Sequence, residues 1–281
     1  MSEQNWPEAS ILVEWEQMAI EMARVAGAEI VNALGRTLTV RYKTFQGDDG
    51  PPRYRDPVSE VDQNVEALIR QRLADRFPAH DILGEEMDVP ARTAETVWAI
   101  DPIDGTTNFV NGFPLFAGSI GVLHRGVPVA GAIWCSATHA LRAGIYHAHA
   151  GSPLRFEGEA LAVRSNPAVR RKLAGAPYLN VVGEKGWDFR KTGSAAIECA
   201  FVAAGLLEVA TFSSPNVWDV AAGLCLVQAA GHAALVAERS GWKGFEGFGS
   251  PPPRSWRRPL VIGAKDAVAA MKDVTMGARR R

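Results

Sequence analysis

The sequence predicts a mixed protein of helices and sheets, and three observations predict it. Two segments near the start repeat apolar residues at helical spacing. Between residues 80 and 150, short apolar runs alternate with turn residues. After residue 150, alanine-rich helical stretches interleave with short strand-like runs.

The first predicted helix covers residues 10–34. Ile11, Trp15, Met18, Met22, Val25 and Ile30 recur at near-helical spacing, and Gly35 stands where a glycine ends a helix. Residues 38–43, "LTVRYK", alternate as a strand does, and "TFQGDDGPPRYRDP" reads as a loop. A second helix runs from Ser59 to Phe77, with Val61, Val65, Leu68, Ile69 and Leu73 on its apolar face and Pro78 as its stop. "DILGEE", "TVWAIDP", "AGSIGVLHRG", "VPVAGAIWC" and "LRAGIYHA" then read as strands, with "HRGVP" as a tight turn. "LAVRSNP" and "NVVGEKG" read as strands or strand ends. Further on come a helix over 194–207, a strand at "LLEVATF", a helix over 217–230 and a strand at "HAALVAE". "SGWKGFEGFGSPPPRSW" reads as a loop, "PLVIGA" as the last strand, residues 265–276 as a closing helix, and "GARRR" as a frayed tail.

A chain of 281 residues makes one large domain or two modest ones, and a shift in texture near residue 150 divides it into lobes of residues 1–150 and 151–281. With 47% hydrophobic and 22% charged residues it has ample material for a core. A net charge of −1 argues against nucleic acid, which selects a basic face. Cys135, Cys199 and Cys225 sit in apolar surroundings without a CxxC pair, as small buried hydrophobes in a reducing compartment do. The start, "MSEQNWPEAS", lacks the pattern of a signal peptide, and the longest apolar stretch is broken by Asp219, Gln228, Gly231 and His232. A soluble, cytoplasmic protein is expected.

Four acidic features stand out: Asp62 in "SEVDQN", Glu85 and Glu86 in "LGEEM", Asp101 and Asp104 in "DPIDG", and Asp219 in "NVWDVAAG". Each has a local reading. Ser59 and Asp62 fit a capping box, Glu85 and Glu86 fit a solvated loop, and Asp219 fits the first turn of a helix. Asp101 and Asp104 resist such a reading. They end an apolar strand three residues apart, and like charges on a partly buried strand call for a counter-charge. Oxygen-rich sites suit Mg²⁺. His80, His124, His139, His147, His149 and His232 show no zinc-ligand spacing beyond a lone HxH. "GTTNF" after Asp104 reads either as a phosphate cradle, with Gly105 in a tight turn and a hydroxyl on Thr106, or as a capped turn.

"WAIDPIDGTTNFVNGFP" resembles the central motif of the inositol monophosphatase family, part of the lithium-sensitive, magnesium-dependent phosphatases. "DPVSEVDQNVEALI", "ILGEE", "KTGSAAIECAFVAAG" and "WDVAAGLCLVQAAG" fall in the family's order, so the resemblance spans roughly residues 10 to 270. It implies an αβαβα layered sugar-phosphatase fold in two lobes, with two or three Mg²⁺ ions at their junction. It implies Glu85, Asp101, the Ile103 carbonyl, Asp104 and Asp219 as metal ligands, Asp101 bridging, and Asp62 with Thr106 as the pair that activates water, beside Glu85. Gly105, Thr106, Gly193, Ser194, Ala195 and Asp219 would face the substrate, although Ser194 also reads as a helix N-cap. Glu86 is a neighbouring acid, and Lys43 a basic residue near the phosphate. The implied activity is direct hydrolysis of a small phosphorylated metabolite, without a covalent phosphoenzyme, by a protein that is often a homodimer.

Two stretches depart from the pattern. Inositol-specific members carry an acid seven residues before the "WD" aspartate, where this chain has Phe212. "HAHAGSPLRFEGEAL" replaces the usual glycine-rich turn. Two alternatives to an inositol phosphatase stand beside this reading, and Phe212 leans toward the first. One is a histidinol-phosphate, 3′-phosphonucleotide or sugar-phosphate phosphatase on the same scaffold. The other is a non-catalytic regulatory binding protein, against which the full ligand set argues.

Overall fold

The computed structural model describes residues 6–45, 53–88, 93–162, 166, 168–177, 186–250 and 252–279. Its elements are α1 (Ala9–Ala33), β1 (Val40–Phe45), β2 (Arg53–Ser59), α2 (Glu60–Arg76), β3 (Asp81–Gly84), β4 (Thr96–Asp104), α3 (Thr106–Val110), β5 (Ala117–His124), β6 (Val127–Cys135), β7 (Gly144–His149), β8 (Arg155–Phe156), β9 (Glu159–Ala160), β10 (Lys172–Gly175), β11 (Trp187–Arg190), α4 (Ala195–Ala203), β12 (Val209–Phe212), α5 (Val217–Ala229), β13 (Ala233–Glu238), β14 (Gly241–Gly244), β15 (Leu260–Gly263) and α6 (Lys265–Arg279).

They stack in five layers. α1 and α2 cover one face of a seven-stranded sheet ordered β3-β4-β5-β6-β7-β8-β9. α4 and α5 lie on its other face and against a six-stranded sheet ordered β11-β10-β12-β15-β13-β14, which α6 covers from outside. Because successive side chains of a strand point to opposite faces, β4 feeds two cores at once. Trp98 and Ile100 pack with α1 and α2, while Val97 and Ala99 pack with α4 and α5. This double burial is why "VWAI", residues 97–100, is apolar at every position.

The seat of α5 depends on two glycines. Gly121 and Gly131 are cross-strand partners on β5 and β6. A Cβ at either would lie 2.7 Å or 2.8 Å from the backbone of Ala222. The helix backbone therefore rests directly on the sheet, and its first turn, with Asp219, reaches the end of β4.

Most predicted elements form within a residue or two of their expected bounds. The "HRGVP" turn is a two-residue hairpin in which Arg125 and Gly126 have φ of 49° and 79°, the twist that a tight hairpin requires. Several expectations are corrected. "TFQGDDGPPRYRDP" is not all loop: β1 extends to Phe45 and pairs with β2 across residues 53–59. The β1 arm matches the strand read at residues 38–43, whereas β2, "RYRDPVS", has no apolar alternation to read. "SGWKGFEGFGSPPPRSW" contains β14, hairpin-paired to β13. The helix predicted to Leu207 ends at Ala203, before Gly205 with φ of 73°. Ile11, placed on the buried face of α1, is exposed, and the buried stripe runs instead through Leu12, Trp15, Ala19, Met22, Ala26 and Ile30. α6 continues to Arg279, so "GARRR" starts within a helix, and its last two residues lie outside the described residues. "NVVGEKG" and "LAVRSNP" fall largely outside them too.

The altered "HAHAG" segment has a structural role. His147 and His149 on β7 contact the buried Glu16 of α1 through their Nδ1 atoms at 2.6 Å and 2.5 Å, tying the first helix to the sheet. All three cysteines are free and buried. Among the described residues no helix is long and apolar enough to cross a membrane.

Candidate active site

The site begins with an irregularity in β4. Residues three apart on a regular strand face opposite sides, which would separate Asp101 from Asp104. Here Asp101 pairs with Ser119 and Asp104 with Ala117, so β4 carries one extra residue between them. That bulge, at Pro102 and Ile103, restores both carboxylates to one face, toward α5. Pro102 fits there because a bulged position needs no ladder N–H.

Gly105 then turns the chain into α3 with φ of 90°. A Cβ there would crowd the Leu115 carbonyl at 3.1 Å and Ser194 at 3.2 Å. The turn places Thr106 Oγ1 at 2.9 Å from the Ile103 carbonyl and 3.1 Å from Asp62 Oδ1. Asp62 serves two purposes, one oxygen for each. Its Oδ2 accepts the Ser59 N–H at 2.8 Å and the Ser59 hydroxyl at 2.5 Å, the capping box of α2. Its Oδ1 is left for Thr106. The local and the functional readings of "SEVD" therefore both hold.

Asp104 sits at the mouth of α4. Its Oδ2 accepts the Ser194 hydroxyl and the Ala196 N–H, each at 2.5 Å. Ser194 is the N-cap of α4 and accepts the Ile197 N–H at 3.1 Å. Its hydroxyl is thus turned to Asp104. Asp219, in the first turn of α5, accepts the Asn216 N–H at 2.7 Å and the Asn216 amide at 3.0 Å.

Glu85 follows β3, beside β4, and its N–H donates to the Ile100 carbonyl at 3.3 Å. The segment after it is held by Glu66, one helical turn beyond Asp62 on α2. Glu66 is fully buried, accepts the Glu86 and Met87 N–H groups at 2.7 Å and 3.0 Å, and pairs with Arg70 at 2.7 Å. Gly84 leaves room for it, since a Cβ there would meet Glu66 Oε1 at 2.3 Å. The reading of the sequence missed Glu66. Its signal was a charged residue at i+4 from Asp62 on an otherwise apolar helix face.

Electrostatically the site is a concentration of negative charge. Burial, then Glu85, Asp104, Asp219 and Asp62, raises Asp101 well above the usual carboxylate range. Burial and the charge of Asp219 push Asp104 up to about 7, against the donors on Ser194 and Ala196. Burial and Glu85 push Asp219 up to about 6, and burial pushes Asp62 up to about 6 despite its bonds from Ser59 and Thr106. Asp101 Oδ1 is buried with no hydrogen-bond partner among the described residues. An orphaned carboxylate oxygen facing four more carboxylates fits a divalent cation, and an all-oxygen donor set suits a hard one. Among the described residues no three of these side chains are gathered closely enough to grip an ion as they stand.

The remaining expected residues fall as follows. Gly193, with φ of 79°, packs on Asn108, whose amide nitrogen lies 2.6 Å and 2.7 Å from the carbonyls of Leu115 and Thr192. Asn108 thereby staples α3 to the start of α4, and Ala195 opens that helix. Glu86 stands beside Glu85 with its N–H on Glu66. Lys43 lies on β1, and its side chain lies outside the described residues. Phe212 ends β12 and is 6% exposed, in the core shared by α4 and α5.

The model of the inositol monophosphatase family matches residues 12–274. Inositol-1-monophosphatase SuhB of Mycobacterium tuberculosis is 37% identical over 209 residues, 68% of this chain and 72% of that protein. A fructose-1,6-bisphosphatase/inositol-1-monophosphatase of Aquifex aeolicus is 31% identical over 191 residues, 63% of this chain and 71% of that one. Among solved structures, a Thermotoga maritima IMPase superposes with a TM-score of 0.71 at 26% identity, covering 93% of this chain and 98% of that one. A family match across nearly the whole chain, on the layered fold described above, leads to one conclusion: the chain belongs to the inositol monophosphatase family and is a phosphoric monoester hydrolase acting on phosphorylated metabolites.

Proposed function

We propose that the protein is a Mg²⁺-dependent phosphomonoesterase for a small phosphorylated polyol or related metabolite. The observation that carries the metal reading is the buried, partnerless Oδ1 of Asp101 among Glu85, Asp104, Asp219 and Asp62. Those first three, with Asp101 and the Ile103 carbonyl, would hold the ions. When bound, Mg²⁺ supplies positive charge that neutralises the phosphate and lowers the pKa of water.

The chain's own residues move the proton. Both acceptors within reach of Thr106 Oγ1, Asp62 Oδ1 and the Ile103 carbonyl, orient its hydrogen inward. Its lone pairs then face outward to take a proton from the attacking water, while Thr106 passes its own to Asp62. Asp62 suits this task because one oxygen is pinned by Ser59, and burial keeps the carboxylate basic, with a pKa of about 6. The first backbone amides of α3, at Gly105 and Thr106, have no partner within that helix and suit the phosphate oxygens. For the other side of the substrate we assign the backbone of Gly193–Ala195 together with Asp219. The Ser194 hydroxyl is committed to Asp104.

The substrate departs from the inositol-specific pattern. Phe212 removes the acid that would bind polyol hydroxyls, and the name of the Aquifex relative joins a sugar bisphosphate to inositol phosphate. A phosphate-release panel of myo-inositol 1-phosphate, sugar phosphates, histidinol phosphate and a 3′-phosphonucleotide tests this. A clear preference for myo-inositol 1-phosphate would refute it. Absence of Mg²⁺-dependent turnover of p-nitrophenyl phosphate between about pH 7 and 9 would refute the enzyme reading itself. A cytoplasmic homodimer completes the proposal, supported by family membership, and light scattering tests the dimer.

A further inference from the structure

Arg254 lies between β14 and β15, in a segment that composition marks only as a Gly/Pro-rich loop. Its guanidinium donates from Nη1 to the Gly84 carbonyl at 2.6 Å and from Nη2 to the Glu85 carbonyl at 2.9 Å. β3 is the edge of its sheet, so its outward carbonyls have no strand to pair with. Arg70 takes the one at Ile82 and Arg254 the one at Gly84. The same guanidinium lies over the ring of Trp218, its central carbon 4.9 Å from the ring centre. Trp218 immediately precedes Asp219, is buried, and accepts the Ser119 hydroxyl on its carbonyl at 3.3 Å.

One planar group therefore touches two segments from different layers, the one carrying Glu85 and the one carrying Asp219. We propose that Arg254 is a positioning residue that fixes Glu85 relative to Asp219, a role that rests on the metal-centre reading above. Arginine suits it for two reasons. The flat fork spans two consecutive carbonyls while its central carbon sits over an indole, whereas a lysine ammonium is a single point of charge. The two described bonds go to main-chain oxygens, so they set the path of the backbone from which the Glu85 carboxylate extends.

The experiment uses full-length wild type, Arg254→Lys and Arg254→Met, with Mn²⁺ as the paramagnetic probe. Metal binding is read by electron paramagnetic resonance, and amide hydrogen exchange is followed at Glu86 and Met87 in metal-free protein. Loss of an outer positioning group lowers metal affinity by roughly 10–100-fold, and both variants are expected to show that loss with faster exchange at the two amides. Arg254→Lys keeps the charge and most of the stem, so its failure to restore affinity identifies the fork as the active feature. Wild-type Mn²⁺ affinity or wild-type exchange in Arg254→Lys would overturn the proposal. Wild-type protein that binds no Mn²⁺ would overturn the metal centre itself, and this role with it.

Discussion

Asp104→Asn separates the chemistry of the site from its stability. Asparagine keeps the shape of the side chain and an oxygen for the Ser194 hydroxyl and the Ala196 N–H, both at 2.5 Å. It removes the charge. Burial, then the charge of Asp219, raises the carboxyl from 3.8 to about 7 in the folded protein. Below the unfolded pKa both states hold the proton and there is no penalty. Between 3.8 and about 7 the unfolded chain releases it first, so stability falls as pH rises. Above about 7 the loss is complete, on the order of 4 kcal/mol at 1.36 kcal/mol per unit, shared with the neighbouring carboxylates. In metal-free buffer Asp104→Asn should therefore be more stable than wild type by up to that amount at about pH 8, and by much less at about pH 5, where only part of the window between the unfolded and folded pKa has been crossed. Turnover should vanish. Mg²⁺, which stabilises any native state that binds it, should raise the unfolding midpoint of wild type far more than that of the variant. Urea unfolding followed by tryptophan fluorescence, with chelator or with Mg²⁺, gives the stability comparisons, and phosphate release gives turnover. A variant no more stable than wild type at about pH 8, or one with near wild-type turnover, would refute the reasoning.

Other perturbations probe the scaffold. Burial raises Glu198 from 4.5 to about 7 against its bonds from Thr192, so wild type loses roughly 3 kcal/mol across that window as pH rises, and Glu198→Gln should flatten the pH–stability curve there. For Glu16, burial acts upward, but the bonds from His147 and His149 outweigh it and hold the group below its usual 4.5. Its contribution is present above the unfolded pKa and is lost as pH falls through the folded one. Glu16→Gln should cost about 1–3 kcal/mol near neutrality and converge on wild type in acid, as read by urea titration. Gly121→Ala sets a methyl 2.7 Å from the Ala222 nitrogen, and backbone cannot move aside as a side chain can. A loss of about 1–3 kcal/mol in urea unfolding is expected, together with weaker Mg²⁺ activation as α5 and Asp219 are pushed outward.

Local features were legible from the chain alone. The two N-terminal helices, the Arg125–Gly126 hairpin and the Ser59–Asp62 cap are each set by residues within a few positions of one another, so spacing alone carried them. The carboxylates at Asp62, Glu85, Asp101, Asp104 and Asp219 were legible because five motifs in a fixed order form a strong pattern. Of the β1–β2 ribbon only the first arm was legible, from the alternation over residues 38–43; β2, "RYRDPVS", carries no apolar alternation. How those acids meet depends on the stacking of the layers. The β4 bulge that turns Asp101 and Asp104 to one face is visible only in the register against β5. Ser194 and Asp104 are 90 residues apart, and Arg254 lies 169 residues from Glu85. Contacts at such separations form when layers stack, and no local periodicity records them. Phe212 shows the same division: the sequence marks a missing acid, and the fold assigns that side chain to the core between α4 and α5.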